Sequence, residues 1–299
     1  MRIDPNTTPN ILQDLQQSQT VLNTALQQVA TGLSVNNPSD NPTAAAEMVQ
    51  NNLESADLDQ YTQNVSSALS TVHTASSVLS SVVTSLTSAV SAGTEGGNGT
   101  NTTANFQALA SQVQGILTSV VNAANTSVSG SFLFGGSSTT TPYTADASSP
   151  TGYTYNGNND TNSIAIGDQT SVQVNLPGSQ IFSSSSNNVI GALSSLVTAL
   201  QSGNTTNIQT STAAVSSALN FVGQQQVFYG NAETQLNSQE TFLQQDTVTL
   251  TTQATNLIGV NEATAATNLS QAETDNSAAL AAVAKVLPNN LLNFLSPPE

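Results

Sequence analysis

Few groupings in this sequence could do chemistry, and each resolves into something simpler once its spacing is followed. His73 is the sole histidine. A triad would need Ser and Asp spaced with it, and a metal site would need a second imidazole; neither is present. It directly follows Val72 of an apolar helical stripe, so a solvated surface side chain is the expectation. Asp57 and Asp59 fall on different faces of the same helical stretch and do not converge. Asn156-Gly157-Asn158-Asn159-Asp160 has some letters of a calcium loop without its closing Glu, and reads as a hairpin turn. The run Gly93-Thr94-Glu95-Gly96-Gly97-Asn98-Gly99 has no following Lys-Ser/Thr and no preceding strand, so it reads as a linker and not a phosphate cradle. Triplets such as Asn98-Gly99-Thr100 and Asn125-Thr126-Ser127 are expected from the composition alone. No catalytic, cofactor or metal residue is therefore assigned.

What remains is a question of scaffold. The chain has 299 residues, of which only 4% are aromatic and none is Trp, so a thick globular core is not expected. Charged residues make up 7% and the net charge is −16, because Arg2 and Lys285 are the only Lys or Arg. Such a chain has no basic patch with which to neutralise phosphates, which disfavours nucleic acid and anionic lipid as partners. Cysteine is absent, excluding disulfides, zinc thiolates and a cysteine nucleophile. The N-terminal Met1 to Pro9 lacks the apolar run of a secretory signal, and no window reads as the ~20 apolar residues of a membrane span. Export, if it occurs, is expected by a route that cleaves no Sec-type signal, and no membrane insertion is expected.

Periodicity supplies the architecture. Leu12, Leu26 and Leu33 share one heptad position and Leu15, Leu22 and Val29 the other, with Gln19 as the interruption, a narrow seam suited to a partner helix. From about Pro42 to Ala92, Leu58, Val65, Val72, Leu79 and Leu86 recur every seven residues, each followed three residues later by Tyr61, Ala68, Ala75, Val82 and Ala89. Leu69, Val83 and Val90 widen that stripe. Ile208, Val215, Val222, Tyr229, Leu236, Leu243, Leu250 and Leu257 make a second stripe of matching length, flanked by Phe221, Phe228 and Phe242. Two helices of ~50 residues, each ~75 Å long, are expected to lie side by side as a rod. Shorter helices carry Phe106, Leu109, Val113, Ile116, Val120 and Ala124, and Val189, Leu193, Leu196 and Leu200. A terminal amphipathic stretch holds Leu269, Ala272, Leu280, Val283 and Leu287 and ends in Leu291-Leu292-Asn293-Phe294-Leu295, apolar side chains that need a partner. Between about Gly130 and Phe182 the period becomes two, at Tyr153–Tyr155, Ser163–Ile166 and Val172–Leu176. The expectation there is an antiparallel meander closed at Asn156–Asn159 and Gly167-Asp168, at the far end of the rod.

The fold class is accordingly mainly α: an elongated rod of coiled-coil-like helices from both ends of the chain, with a small antiparallel β insertion. Three parts are expected: terminal helices (1–40 with 258–299), a helical rod (41–129 with 183–257) and the insertion (130–182). Between the first two lies a fixed corner. Gly32 ends a helix, Asn37 and Asn41 precede prolines and leave the α region, Pro38 suits the second position of a type I turn, and Asn41 caps a helix starting at Pro42.

That corner carries a resemblance. Ala30-Thr31-Gly32-Leu33 followed by Asn37-Pro38-Ser39-Asp40-Asn41-Pro42-Thr43-Ala44-Ala45 is similar to the end of the first helix in the flagellin superfamily. Phe132-Leu133-Phe134-Gly135-Gly136 with Thr141-Pro142-Tyr143 resembles the segment entering the insertion of the branch that joins hook to filament, and Ala284-Lys285 to Leu295 resembles the family ending. The resemblance spans the chain in order. It implies a self-assembling, non-catalytic extracellular subunit of the bacterial flagellum, a homo-oligomer with hook-associated protein 1 and flagellin as neighbours. It also implies export through the flagellar type III route with an export chaperone. The subunit interface would be Leu12, Leu15, Leu22, Leu26, Val29 and Leu33 with Leu280, Val283, Leu287, Leu291, Phe294 and Leu295, in termini expected to be disordered in the free chain and to order only on assembly. Leu33-Ser34 stand where the family usually has basic residues, so salt bridges from those positions do not carry over. Two alternatives share part of this reading: flagellin itself, with the same terminal helices, and a secreted helical adhesin or translocator. An enzyme in the insertion is the weakest option, since those residues include three acids and no histidine.

Overall fold

The computed structural model describes residues 7–128 and 130–295, with side chains at 10, 12–128 and 130–285. It is mainly helical, as the stripes require. Helix α1 spans Thr7–Thr31, α2 Pro42–Gly96, α3 Thr103–Ala124, α4 Gly178–Ile181, α5 Val189–Ser202, α6 Thr205–Ile258 and α7 Glu262–Leu295. Asparagine and threonine, abundant in place of charge, start these helices. Asn41 Oδ1 accepts Ala44 N–H at 3.2 Å, Thr102 Oγ1 accepts Asn105 N–H, Asn188 Oδ1 accepts Gly191 N–H, Asn204 Oδ1 accepts Asn207 N–H and Asn261 Oδ1 accepts Thr264 N–H. Along exposed faces Ser and Thr hydroxyls donate to the carbonyl four residues back, as Thr71 does to Ser67 and Thr74 to Ser70.

The chain divides into two compact units, residues 1–57 with 245–299 and residues 58–244. In the larger unit the two long stripes form one continuous core. Val65, Ala68, Val72, Ala75, Leu79, Val82, Leu86 and Ala89 of α2 are buried with Ile208, Val215, Val222, Tyr229, Leu236 and Leu243 of α6, and α3 and α5 pack on each other beside them. The two long helices, 55 and 54 residues, run antiparallel in this unit. Gly93 lies against Thr212, while Asn64 and Gln239 reach the same strand from either helix.

Several expectations change. The glycine run is no linker at its start: α2 continues through Gly96, and both Gly93 and Gly96 are buried. A Cβ at Gly93 would fall 2.2 Å from Thr212 Oγ1, and one at Gly96 2.5 Å from Leu200 Cδ2, so these glycines let the end of α2 approach α6 and α5. By length and composition α2 is also apolar enough to cross a membrane, contrary to the sequence reading. The Ser and Thr between its apolar residues hide this in a search for an unbroken run, and those apolar residues are the ones that line the core.

The meander is replaced by three separate two-stranded antiparallel ribbons: β1 (Ser127–Val128) with β2 (Ser131–Phe132), β3 (Tyr143–Ala145) with β4 (Tyr153–Tyr155), and β5 (Ser163–Gly167) with β6 (Thr170–Gln173). Only the Gly167-Asp168 turn closes a hairpin as expected. Tyr155 pairs with Tyr143 instead of continuing into β5. Asn156–Asn159 makes no hairpin because Asn158 is used elsewhere: its Oδ1 accepts Ser137 N–H at 2.8 Å and its Nδ2 donates to Ser137 Oγ and Asp160 Oδ2. Nor is the insertion confined to the far end. Chain returning along α3 brings β5 back beside α2 and α6, where Asn64 Nδ2 donates to Ala165 O and Gln239 Nε2 to Ile166 O. Leu133, Phe134, Ile166, Val172 and Val174 belong to the same core as the helices.

Candidate assembly surface

In the smaller unit, α1 packs along α7. The side chains withdrawn from solvent are small: Ala25 on α1, Ala265 and Ala272 on α7. Leu15 and Leu22 are half-buried, and so are Leu33, Leu269 and Val283. The rest of the expected α1 seam is uncovered, with Leu12 48%, Leu26 45% and Val29 44% exposed, joined on α7 by Leu280 at 48%. Leu15, Leu22 and Leu33 are therefore partly covered, while Leu12, Leu26 and Val29, drawn from both positions of the heptad, have no such cover among the described residues. Leu287, Leu291, Phe294 and Leu295 lie outside the residues whose side chains are described.

The α1–α7 seam also holds an imperfection. Ser18 Oγ and Asn276 Nδ2 are buried without hydrogen-bond partners, at about the same distance from the start of the helix pair. Orphaned groups of this kind cost about 1–3 kcal/mol each.

The corner fixes where the two terminal helices begin. Gly32 adopts φ +70°, the left-handed conformation that ends α1. Leu33 then forms a β-bridge with Gly259. Ser34 N–H donates to Ile258 O at 2.6 Å, Val260 N–H donates to Gly32 O at 3.0 Å, and Ser34 Oγ donates to Ile258 O. Leu33 and Ser34 are thus partners of the α6–α7 connection. Asp40 Oδ2 accepts the N–H groups of Asn36 and Asn37, at 3.1 and 2.8 Å, and Asp40 N–H returns to Asn37 O. That carboxylate, which the turn reading left without a role, holds the Asn37-Pro38-Ser39-Asp40 turn, and Asn41 caps α2 immediately after it.

The insertion entry serves the core. Phe134 is fully buried, with its ring edge-on to Phe182 at 5.2 Å. Its carbonyl accepts Gly178 N–H at 2.7 Å and the Tyr155 hydroxyl at 2.9 Å. Gly135 O accepts Asn158 N–H, and Gly136, at φ +70°, leaves the space that Asn158 fills. Phe132 and Leu133 line the inner side of this entry. Burial pushes the Tyr143 hydroxyl well above the usual tyrosine range, against a hydrogen bond with Ser183 that lowers it; burial does the same to Tyr229, whose oxygen accepts Leu176 N–H. A groove of about 660 Å³ between α2 and the ribbons is lined by neutral side chains, among them Ser67, Thr71, Phe132 and Asn175. His73, Asp57 and Asp59 are all exposed on α2.

Long paired helices, a stapled corner and uncovered apolar side chains define a helical building block. Residues 6–139 match the family described as the bacterial flagellin N-terminal helical region. Within that class the chain is similar to flagellar hook-associated protein 3 of Salmonella typhimurium, 30% identical over 165 residues, which is 55% of this chain and 51% of the relative. The chain thus spans about half the length of the curated relative it matches. Its fold is shared with solved structures at low identity. One, from Vibrio parahaemolyticus and described as flagellar hook-associated, has TM-score 0.68 at 18% identity over 74% of this chain and 100% of the other. FlgL of Bacillus cereus gives 0.60 at 22% over 69% and 99%. The flagellar junction protein FlgL of Legionella pneumophila gives 0.60 at 15% over 72% and 100%.

Proposed function

We propose that this chain is a structural subunit of the bacterial flagellum, at the junction between the hook, on the hook-associated protein 1 side, and the flagellin filament. The observation that carries the reading is the α1–α7 pair, held at its base by the Leu33–Gly259 bridge and left with Leu12, Leu26, Val29 and Leu280 uncovered. Apolar rows of that size on a helix pair are stabilised by further helices of the same kind. The terminal segments, 1–40 and 258–299, are the assembling part in this proposal, 41–129 with 183–257 the supporting helices, and 130–182 the insertion. The subunit does no chemistry. It acts outside the cell, having left through the flagellar type III route with a dedicated chaperone.

Deleting the gene tests this. The expected phenotype is a cell that keeps its hook and sheds unpolymerised flagellin into the medium, restored by the intact gene and not by a Leu12→Ser/Leu26→Ser variant. Normal filaments after deletion sink the junction assignment; loss of the filament subunit itself, with no flagellin shed, makes the chain the bulk flagellin.

A further inference from the structure

Helix α2 has a second apolar seam that nothing among the described residues covers. Its inward row in the smaller unit is Ala44, Met48, Asn51, Ser55 and Leu58, with Asn51 Nδ2 donating to Leu250 O at 3.0 Å. On the opposite face Ala46, Val49, Leu53 and Ala56 follow at intervals of three, four and three, the spacing of a coiled-coil seam. All four are exposed, Val49 by 60% and Leu53 by 58%. Continued past Ala56, the same positions become Gln60, Gln63 and Ser67, so the seam stops at the edge of the smaller unit. Most of the large exposed apolar side chains among the described residues lie in that unit, and only Val227 and Phe242 lie in the other.

We propose that this seam receives α1 of a second copy of the chain, against Leu22, Leu26, Val29 and Leu33; this rests on the assembly reading above and extends the interface beyond the terminal helices. Heptad spacing on both sides permits knobs-into-holes packing, and Leu26 and Val29 are the uncovered members of the α1 row. Charge selects α1 over α7. The seam is bordered by Glu54 and Asp57, with no cation on α2. Helix α7 would bring three acids, Glu262, Glu273 and Asp275, with only Lys285 to offset them, whereas α1 carries Asp14 alone, at the end away from Leu26 and Val29. The seam is about 15 Å long, far short of what holds a stable dimer. It acts only when each copy has several neighbours, and the free chain stays monomeric.

Because the chain has no cysteine, introduced thiols report unambiguously. Cells co-expressing one chain with Leu26→Cys and another with Leu53→Cys supply appendages that are isolated and oxidised. The expected product is a disulfide between the two variant chains, which must be intermolecular, with little cross-linking from either variant alone. In parallel, Val49→Ser/Leu53→Ser is expected to lower the amount incorporated by about tenfold or more, with unfolding of the free chain unchanged because both residues are exposed. Incorporation of that variant at the normal level, absence of the cross-link in appendages that contain the protein, or a cross-link to a different protein each overturns the seam and leaves the assembly reading standing. A wild-type chain missing from the appendages removes the assembly reading itself.

Discussion

Replacing Tyr229 by Phe separates a buried hydroxyl from the ring that carries it. The ring is fully buried on α6 and meets Phe228 edge-on at 5.1 Å, contacts that Phe retains. What is lost is the acceptor for Leu176 N–H at 3.1 Å, on the segment leading from β6 to α4. Leu176 is itself at the edge of burial, so its N–H is left without water as well as without a partner. The expected loss is about 1–3 kcal/mol at neutral pH, more than the roughly 1 kcal/mol of an ordinary exchanged hydrogen bond. The hydroxyl also sets an alkaline limit. Its pKa is raised in the folded chain by burial, so its contribution is fully present below the ordinary tyrosine value of about 10 and is lost as pH rises beyond it. Urea unfolding followed by circular dichroism gives the first quantity. Tyrosinate absorbance gives the second, undisturbed because the chain has five Tyr and no Trp. In the wild type, Tyr143 and Tyr229 should ionise only as the helices unfold. The reasoning fails if all tyrosines ionise together in the folded protein, or if Tyr229→Phe is as stable as the wild type.

Gly93→Ala places a methyl against Thr212, and its expected cost of about 1–3 kcal/mol from overpacking exceeds the ~1 kcal/mol gained in helix propensity; Thr212→Ala in the same chain should recover most of it. Asn276→Ala removes a buried orphan amide, so thermal unfolding of the free chain should move upward and protease trimming of the α1 and α7 ends should slow; an unchanged or lower midpoint would show that the amide has a partner. With 18 acids against two Lys or Arg, protonation removes far more repulsion than pairing, so assemblies should persist at pH 3 as well as at pH 7, and sharp dissociation at pH 3 would refute this.

The long stripes were legible because each is a single seven-residue repeat, and Val65 to Ala89 and Ile208 to Leu250 are buried where that repeat puts them. The ribbons were not, because their pairing is decided by contacts distant in sequence. Tyr143–Ala145 is only three residues long, and Asn158 could equally close a turn or hold the backbone at Ser137. Gly93 and Gly96 carry the letters of a linker, and only the nearness of Thr212 and Leu200 shows why a side chain is excluded. On α1 the seam itself was readable, while the division into covered Leu15 and Leu22 and uncovered Leu12 and Leu26 depends on where α7 lies. The Val49 and Leu53 row is hidden in the sequence behind the longer and stronger inward stripe of α2. Asp40 had a visible cue in its place three residues after Asn37, where an acidic side chain can reach back to free N–H groups.

The bridge between Leu33 and Gly259 has a mechanical consequence. A terminal helix joined through one strand of backbone can twist about its single bonds, each of which offers little resistance. Here two such connections run side by side, cross-tied by Ser34 N–H to Ile258 O and Val260 N–H to Gly32 O. Torque applied to α7 is shared at once with the start of α2, and torque on α1 with the end of α6. The pair behaves as a double-pinned coupling, stiff against rotation about its length while each pin alone would swivel.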